Sequence, residues 1–287
     1  MNKNICQLVT DNIISQLDSG YIPWKRPWKA SAEAASHASG KKYSFLNQML
    51  LNGCGEWITL KQINKEGGTL KEGATPSQIV FWSMVPERKK DDNGVEIPEE
   101  LRGYYPCLRC YNVYEMGSVE GIERKTPEDL QMPNTAKTID EIEKMWRDYA
   151  AREALPVNDV DISQEAFYSP SGDYIRVPRL DQFYTTEGRY STLFHELGHS
   201  TGHPKRLNRG NKSKRAGDRE YAREELVAEM TAAILCARLG IDTEDGLKNR
   251  AAYIQHWRNQ IAEDNELVII AAGRAQKAAE LILGEPL

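Results

Sequence analysis

The chain has 287 residues, 40% of them hydrophobic, and a formal net charge of −5. That length allows one or two domains with a sizeable core, and the mild acidity excludes neither nucleic acid nor protein as a partner. No apolar run follows Met1-Asn2-Lys3-Asn4 and none elsewhere is long enough to span a bilayer, so neither a signal peptide nor a membrane segment is expected.

Ile5, Leu8, Val9, Ile13, Ile14 and Leu17 mark one face of a helix over 3–18, ended by Gly20. Tyr21 to Lys29 follows, where two prolines forbid a regular element. In it Trp24 and Trp28 alternate with Lys25, Arg26 and Lys29, the pairing of stacking faces and cations that single-stranded nucleic acid binding uses. The same tryptophans could instead pin a loop onto the core, and the sequence leaves both readings open. Residues 30–40 are small and polar and read as a mobile loop. Lys41, Lys42 and Tyr43 repeat the basic-aromatic pattern and lead into a short apolar helix through Leu46, Met49, Leu50 and Leu51. Over residues 1–80 nine Lys/Arg face six Asp/Glu, the right sign for phosphate contacts.

Thr59 can cap a helix beginning in Trp57–Gln62, and Gly67-Gly68 breaks it. Gln78–Ser83 and Tyr104–Tyr114 read as two strands joined by an exposed charged loop over 86–100. Cys107-Leu-Arg-Cys110 falls on the second strand, with no second pair nearby to make a zinc knuckle. With Cys6, Cys54 and Cys236 these make five scattered cysteines, which argue against a disulfide framework and for a reducing cytoplasm. Residues 117–137 are rich in Gly, Pro and charge, which places a linker at 126–137 between domains of 1–125 and 138–287. Ile139, Ile142, Met145, Trp146 and Tyr149 then mark a helix, and Ser169-Pro-Ser-Gly172 supplies the turn of a hairpin spanning 166–177. The expected fold class is α+β, with a small α+β domain followed by a mostly helical one carrying that hairpin.

His195-Glu196-Leu197-Gly198-His199 reads H-E-x-x-H. Tyr190, Leu193, Phe194 and Leu197 repeat at helical spacing, Thr185 or Thr186 can cap the start, and Gly202 with Pro204 ends the helix. Residues four apart share a helix face, so both imidazoles can reach one zinc ion, with Glu196 beside them as general base. A third protein ligand is needed. His203 precedes Pro204, where helical geometry is disfavoured. Glu225 and Glu229 fit better, four apart on a helix whose Ala228, Ala232 and Ala233 permit close approach to Gly198. In glutamate-type zincins such a pair supplies one ligand and one carboxylate that orients a ligand histidine. By that analogy Glu225 is the ligand and Glu229 the orienting partner, with the reverse order open. Glu224 reads as a solvated acidic residue. His256 reads as structural, and Tyr174, Tyr184 and Tyr221 are candidate oxyanion donors.

Two sets of segments together resemble one family, the ArdC antirestriction proteins with the related N-terminal part of the plasmid TraC primases. The first set is Trp24-Lys-Arg-Pro-Trp28, Tyr43-Ser-Phe-Leu-Asn-Gln48, Trp57-Ile-Thr-Leu-Lys-Gln62, Gly67-Gly68, Lys71-Glu-Gly73, Val80-Phe-Trp82 and Tyr111-Asn-Val113. The second is His195 through Pro204, Arg206-Leu207 and Glu224-Glu-Leu-Val-Ala-Glu229. The resemblance implies an N-terminal single-stranded DNA-binding module, to which Trp24, Lys25, Arg26, Trp28, Lys41, Lys42 and Tyr43 would contribute. It implies a C-terminal zincin-like metallopeptidase holding one zinc ion through His195, His199 and Glu225. Proteins of this kind are carried by plasmids, phages and integrative elements and help incoming DNA escape restriction.

Overall fold

The computed structural model describes residues 2–25, 33–51, 55–87, 89–98, 103–125, 137–210, 219–241 and 250–286. In chain order the elements are α1 (Lys3–Asp18), β1 (Ala35–Ser36), α2 (Phe45–Leu51), β2 (Glu56–Ile58), α3 (Leu60–Glu66), β3 (Thr69–Leu70), β4 (Ser77–Pro86), β5 (Tyr104–Glu115) and β6 (Val119–Glu120). They continue with α4 (Ile139–Arg152), β7 (Val157–Asn158), β8 (Phe167–Ser169), β9 (Tyr174–Arg176), α5 (Thr186–Ser200), α6 (Arg219–Leu239), α7 (Arg250–Glu263) and α8 (Leu267–Leu283). This is the α+β class expected.

The N-terminal sheet has the order β1-β2-β5-β4, with β1 parallel to β2 and the other pairs antiparallel. Part of the stretch read as a loop at 30–40 therefore carries an edge strand, and Glu56–Ile58, just before the Thr59-capped helix, is a further strand. The helix begins at Leu60 with Thr59 as its cap, as expected, fixed by a reciprocal capping box between Thr59 and Gln62. Buried amides weld α2 to its neighbours. Asn47 Nδ2 donates to the Val80 carbonyl at 2.9 Å while its Oδ1 accepts from Val80 N–H at 2.8 Å. Gln48 does the same for both backbone groups of Ala34. Such exchanges satisfy backbone groups that burial would otherwise leave unpaired.

The apolar core does not respect the expected boundary. Val9, Ile13, Leu17 and Trp24 lie in one continuous cluster with Trp257, Ile261, Leu267 and Val268. Ion pairing follows the same seam, with Arg258 Nε 2.6 Å from Asp18 Oδ1. Thr10 Oγ1 donates to the Asn265 carbonyl at 3.2 Å, and Phe45 N–H donates to Gln276 on α8 at 3.1 Å. The N-terminal helices are thus packed against the C-terminal ones. The linker expected at 126–137 lies, apart from Lys137, outside the described residues.

In the C-terminal part a small sheet of order β7-β9-β8 lies beside α5. Asp173, in the hairpin turn, adopts φ 49°. Arg206, just after α5, ties this hairpin down: it is salt-bridged to Asp173, donates to Tyr168 Oη at 3.2 Å, and donates to the Ser200 carbonyl at 2.7 Å.

Candidate metal centre

Thr185 caps α5, its hydroxyl accepting from Gly188 N–H at 3.0 Å. Tyr190, Leu193, Phe194 and Leu197 are buried on one side of α5. Helix α6 starts five residues before the acidic run, at Arg219, and is ended by Gly240 at φ 71°. It lies close against α5 because Gly198 carries no side chain. A Cβ there would sit 3.1 Å from the Ala228 Cα, a backbone atom with nowhere to go.

This close crossing brings three groups together. His195 Nε2 and His199 Nε2 are 3.1 Å apart. Glu225 Oε2 is 3.6 Å from the first and its Oε1 is 3.6 Å from the second. Among the described residues, His195, His199 and Glu225 form the one group of ligand-bearing side chains able to hold a metal ion. Two donors each about 2.0–2.1 Å from a tetrahedral ion lie roughly 3.4 Å apart, so these spacings need only small adjustments to hold one. The expected ligand trio is thus brought together, with Glu225 the nearer acid to both Nε2 atoms.

Each imidazole also has a carboxylate behind it. Glu229 Oε1 faces His195 Nδ1 at 3.9 Å, and Glu224 Oε1 faces His199 Nδ1 at 3.5 Å. Glu224 corrects the sequence reading: it is 6% exposed and bound by Arg209, whose guanidinium also donates to the Gly198 carbonyl at 2.8 Å. Burial pushes the Glu224 carboxyl up, but hydrogen bonds from His199 and Arg209 outweigh it and hold the group below the usual range. Glu224→Ala would leave the Arg209 charge buried and unpaired. It is expected to cost about 3–5 kcal/mol in a denaturant melt, where a solvated residue would cost almost nothing.

Glu196 is buried between the hairpin and α6 and accepts a hydrogen bond from the Tyr168 backbone. Burial raises its pKa, against the pull of His195 and His199. For His195, burial acts downward, but Glu225, Glu229 and Glu196 prevail and raise it. Of the three candidate tyrosines, Tyr221 is hydrogen-bonded to Glu225 and lies within the field of Glu196. Tyr184 is 92% exposed, and Tyr174 stacks edge-on against Phe167. His203 turns to Asp173, 3.7 Å away, and His256 rests on Trp257, the structural setting expected of it.

Comparison with known proteins agrees with this layout. Residues 150–274 match the family described as zincin-like metallopeptidase, and residues 3–114 match the N-terminal domain of anti-restriction factor ArdC. Two crystal structures of the antirestriction ArdC protein from the R388 plasmid superpose with a TM-score of 0.71 each. The metal-free one is 29% identical and covers 96% of both chains; the Mn(II)-bound one is 28% identical and covers 97% of both. The chain belongs to the ArdC-like proteins. A DNA primase TraC of Escherichia coli is 29% identical over 99% of this ArdC-like chain, which spans 27% of that primase's length. An uncharacterized protein of Sinorhizobium fredii, y4eC, is 26% identical across 96% of this chain and 91% of its own.

The residues expected to touch DNA divide. Trp24 is 3% exposed, its indole donating to Tyr253 Oη at 3.0 Å and packed edge-on against Trp257. Its ring faces are covered, so the stacking role assigned to it gives way to the packing one. Lys25 is not a free cation either: its Nζ is 3.4 Å from Glu229 and lies over the Tyr253 ring. Arg26 and Trp28 lie outside the described residues. Lys41 is exposed, Lys42 is exposed and pairs with Glu33, and Tyr43 is half-buried. Tyr43 begins a row the sequence reading missed. Its ring is 6.0 Å from Phe81, which is 6.2 Å from Tyr111. Phe81 is 41% exposed and directly opposite Arg109 on the neighbouring strand, and Tyr105 extends the same face. Cys107 and Cys110, three apart on β5, point to opposite faces of the sheet, which removes them as a joint site. No helix among the described residues is long and apolar enough to cross a membrane.

Proposed function

We propose that this ArdC-like protein is a metal-dependent peptidase joined to a single-stranded DNA-binding module, serving antirestriction on a mobile genetic element. On this reading residues 138–287 carry the peptidase and residues 1–125 the DNA surface. The convergence of His195, His199 and Glu225, with Glu196 alongside, carries the peptidase half. A divalent ion held there would polarise a scissile carbonyl and lower the pKa of water to about 7. The two nitrogens and one carboxylate suit zinc but accept other divalent ions, and the R388 relative has a Mn(II)-bound structure.

The chain's own groups supply the rest. Glu196 takes the proton from the attacking water and passes it to the leaving amine. The Tyr168 amide keeps that carboxylate turned inward. Tyr221, hydrogen-bonded to Glu225, is our candidate for donating to the oxygen that becomes negative. Strand β8 pairs with β9 on one side, and its other edge lies towards Glu196, so an extended peptide can add to it there. The test is incubation of the metal-loaded protein with an unfolded protein such as casein. Cleavage that a chelator stops is expected; metal-loaded protein that leaves casein and other unfolded chains intact overturns the peptidase reading and leaves a DNA-coating protein with a non-catalytic ion.

The row Tyr43, Phe81 and Tyr111, with Arg109 and Lys41 near it, supports the DNA half. Successive bases can stack on such rings while the cations take phosphates. Phe81→Ala with Tyr111→Ala is expected to weaken binding of an oligothymidylate by about 1–3 kcal/mol per base lost from the stack. Phe81 and Tyr111 are about two-fifths exposed, at 41% and 39%, so the melting temperature should fall less than on loss of two core rings. Unchanged affinity in a salt titration would refute the assignment.

A further inference from the structure

Glu229 is held jointly by the two parts of the chain. Its Oε2 receives the Tyr253 hydroxyl at 3.0 Å and lies 3.4 Å from Lys25 Nζ. Tyr253 Oη in turn accepts from the Trp24 indole at 3.0 Å. Trp24 and Lys25 belong to the N-terminal stretch that matches the ArdC N-terminal domain, Trp24 lying 229 residues before Tyr253.

The chain of contacts has a fixed sense. An indole N–H only donates, so Tyr253 Oη is the acceptor there and its own proton points to Glu229. Glu229, supplied with donors on Oε2, is left with Oε1 facing His195 Nδ1 at 3.9 Å. Hydrogen bonds at such sites tighten when the reacting complex assembles. A carboxylate at Nδ1 selects the tautomer protonated on that nitrogen and leaves the Nε2 lone pair free for an ion.

We infer that Trp24, Lys25 and Tyr253 are positioning residues for the metal centre, and that the N-terminal domain thereby completes a site whose ligands all lie in the C-terminal one. The inference rests on the metal-centre reading above. Lys25 pairs its ammonium with Glu229, and its place over the Tyr253 ring, 4.7 Å from the centroid, keeps the phenol oriented. Trp24 fixes the direction of the phenol proton. None of the three touches the ion.

The test measures Mn(II) and Zn(II) affinity of the full chain by chelator competition, for wild type, Tyr253→Phe, Lys25→Met, Lys25→Arg and Glu225→Ala. Melting temperatures of the metal-free proteins are taken alongside. Tyr253→Phe keeps the ring and its packing. It is expected to lower metal affinity severalfold, short of the roughly tenfold to hundredfold that loss of a group directly behind a ligand costs, with little change in the metal-free melting temperature. Lys25→Met should follow it and Lys25→Arg should restore most of the affinity. The nitrogen shifts of His195 in Tyr253→Phe should show a loss of the Nδ1-protonated tautomer, which a purely structural role would not cause. If Glu225→Ala loses the ion while Tyr253→Phe and Lys25→Met bind it as wild type does, the positioning role is wrong and the metal centre stands. If wild type binds no ion, or Glu225→Ala binds as well as wild type, the metal-centre reading itself falls, and this inference with it.

Discussion

Glu196→Gln is expected to keep the ion and lose hydrolysis. The amide has nearly the same shape and can still accept the Tyr168 backbone hydrogen bond through its oxygen. It cannot take a proton from water. General base assistance is typically worth about 10²–10⁴-fold, so cleavage should fall by that factor with metal affinity close to wild type. Burial raises the Glu196 pKa, which makes its carboxylate a stronger base than a free one. The control is built in, because a misfolded variant would lose the ion as well. Hydrolysis at the wild-type rate with a full complement of metal would remove Glu196 from the mechanism.

The second large effect separates the two acids of α6. Glu225 faces both Nε2 atoms at 3.6 Å, whereas Glu229 faces the back of one ring. Removal of a group behind a ligand costs about 10–100-fold in metal affinity, and removal of a ligand itself should cost more, on the order of 10³-fold. Glu225→Ala should therefore bind metal far more weakly than Glu229→Ala. Thermal melts give an independent readout. An ion at a hundred times its Kd stabilises by about 2.7 kcal/mol, and that increment should vanish in Glu225→Ala and shrink in Glu229→Ala. The opposite order would exchange the two roles.

What could be read from the residues alone was what repeats within one element. The α5 stripe, the two histidines a turn apart and the Glu225–Glu229 pair are all i, i+4 relations, and the helices fall close to where periodicity puts them. Glu224 was misread because its burial depends on Arg209, across a loop and pointing back into the helix pair. The aromatic row escaped for a different reason. Ile79-Val-Phe-Trp82 is apolar at every position, so no alternation reveals which face of β4 looks outward. Trp24 and Lys25 stand out in the sequence, but a composition that fits nucleic acid fits an interdomain seam as well. Only tertiary placement, beside Tyr253 and Trp257, decides between them.

The shared apolar cluster limits how this segment can be inherited. With Val9, Ile13 and Leu17 wedged among Trp257, Ile261 and Leu267, a recombination joint between residues 125 and 137 would strip two oily faces at once. Exchange of one half for a foreign counterpart should give insoluble hybrids, whereas transplanting the whole stretch should succeed.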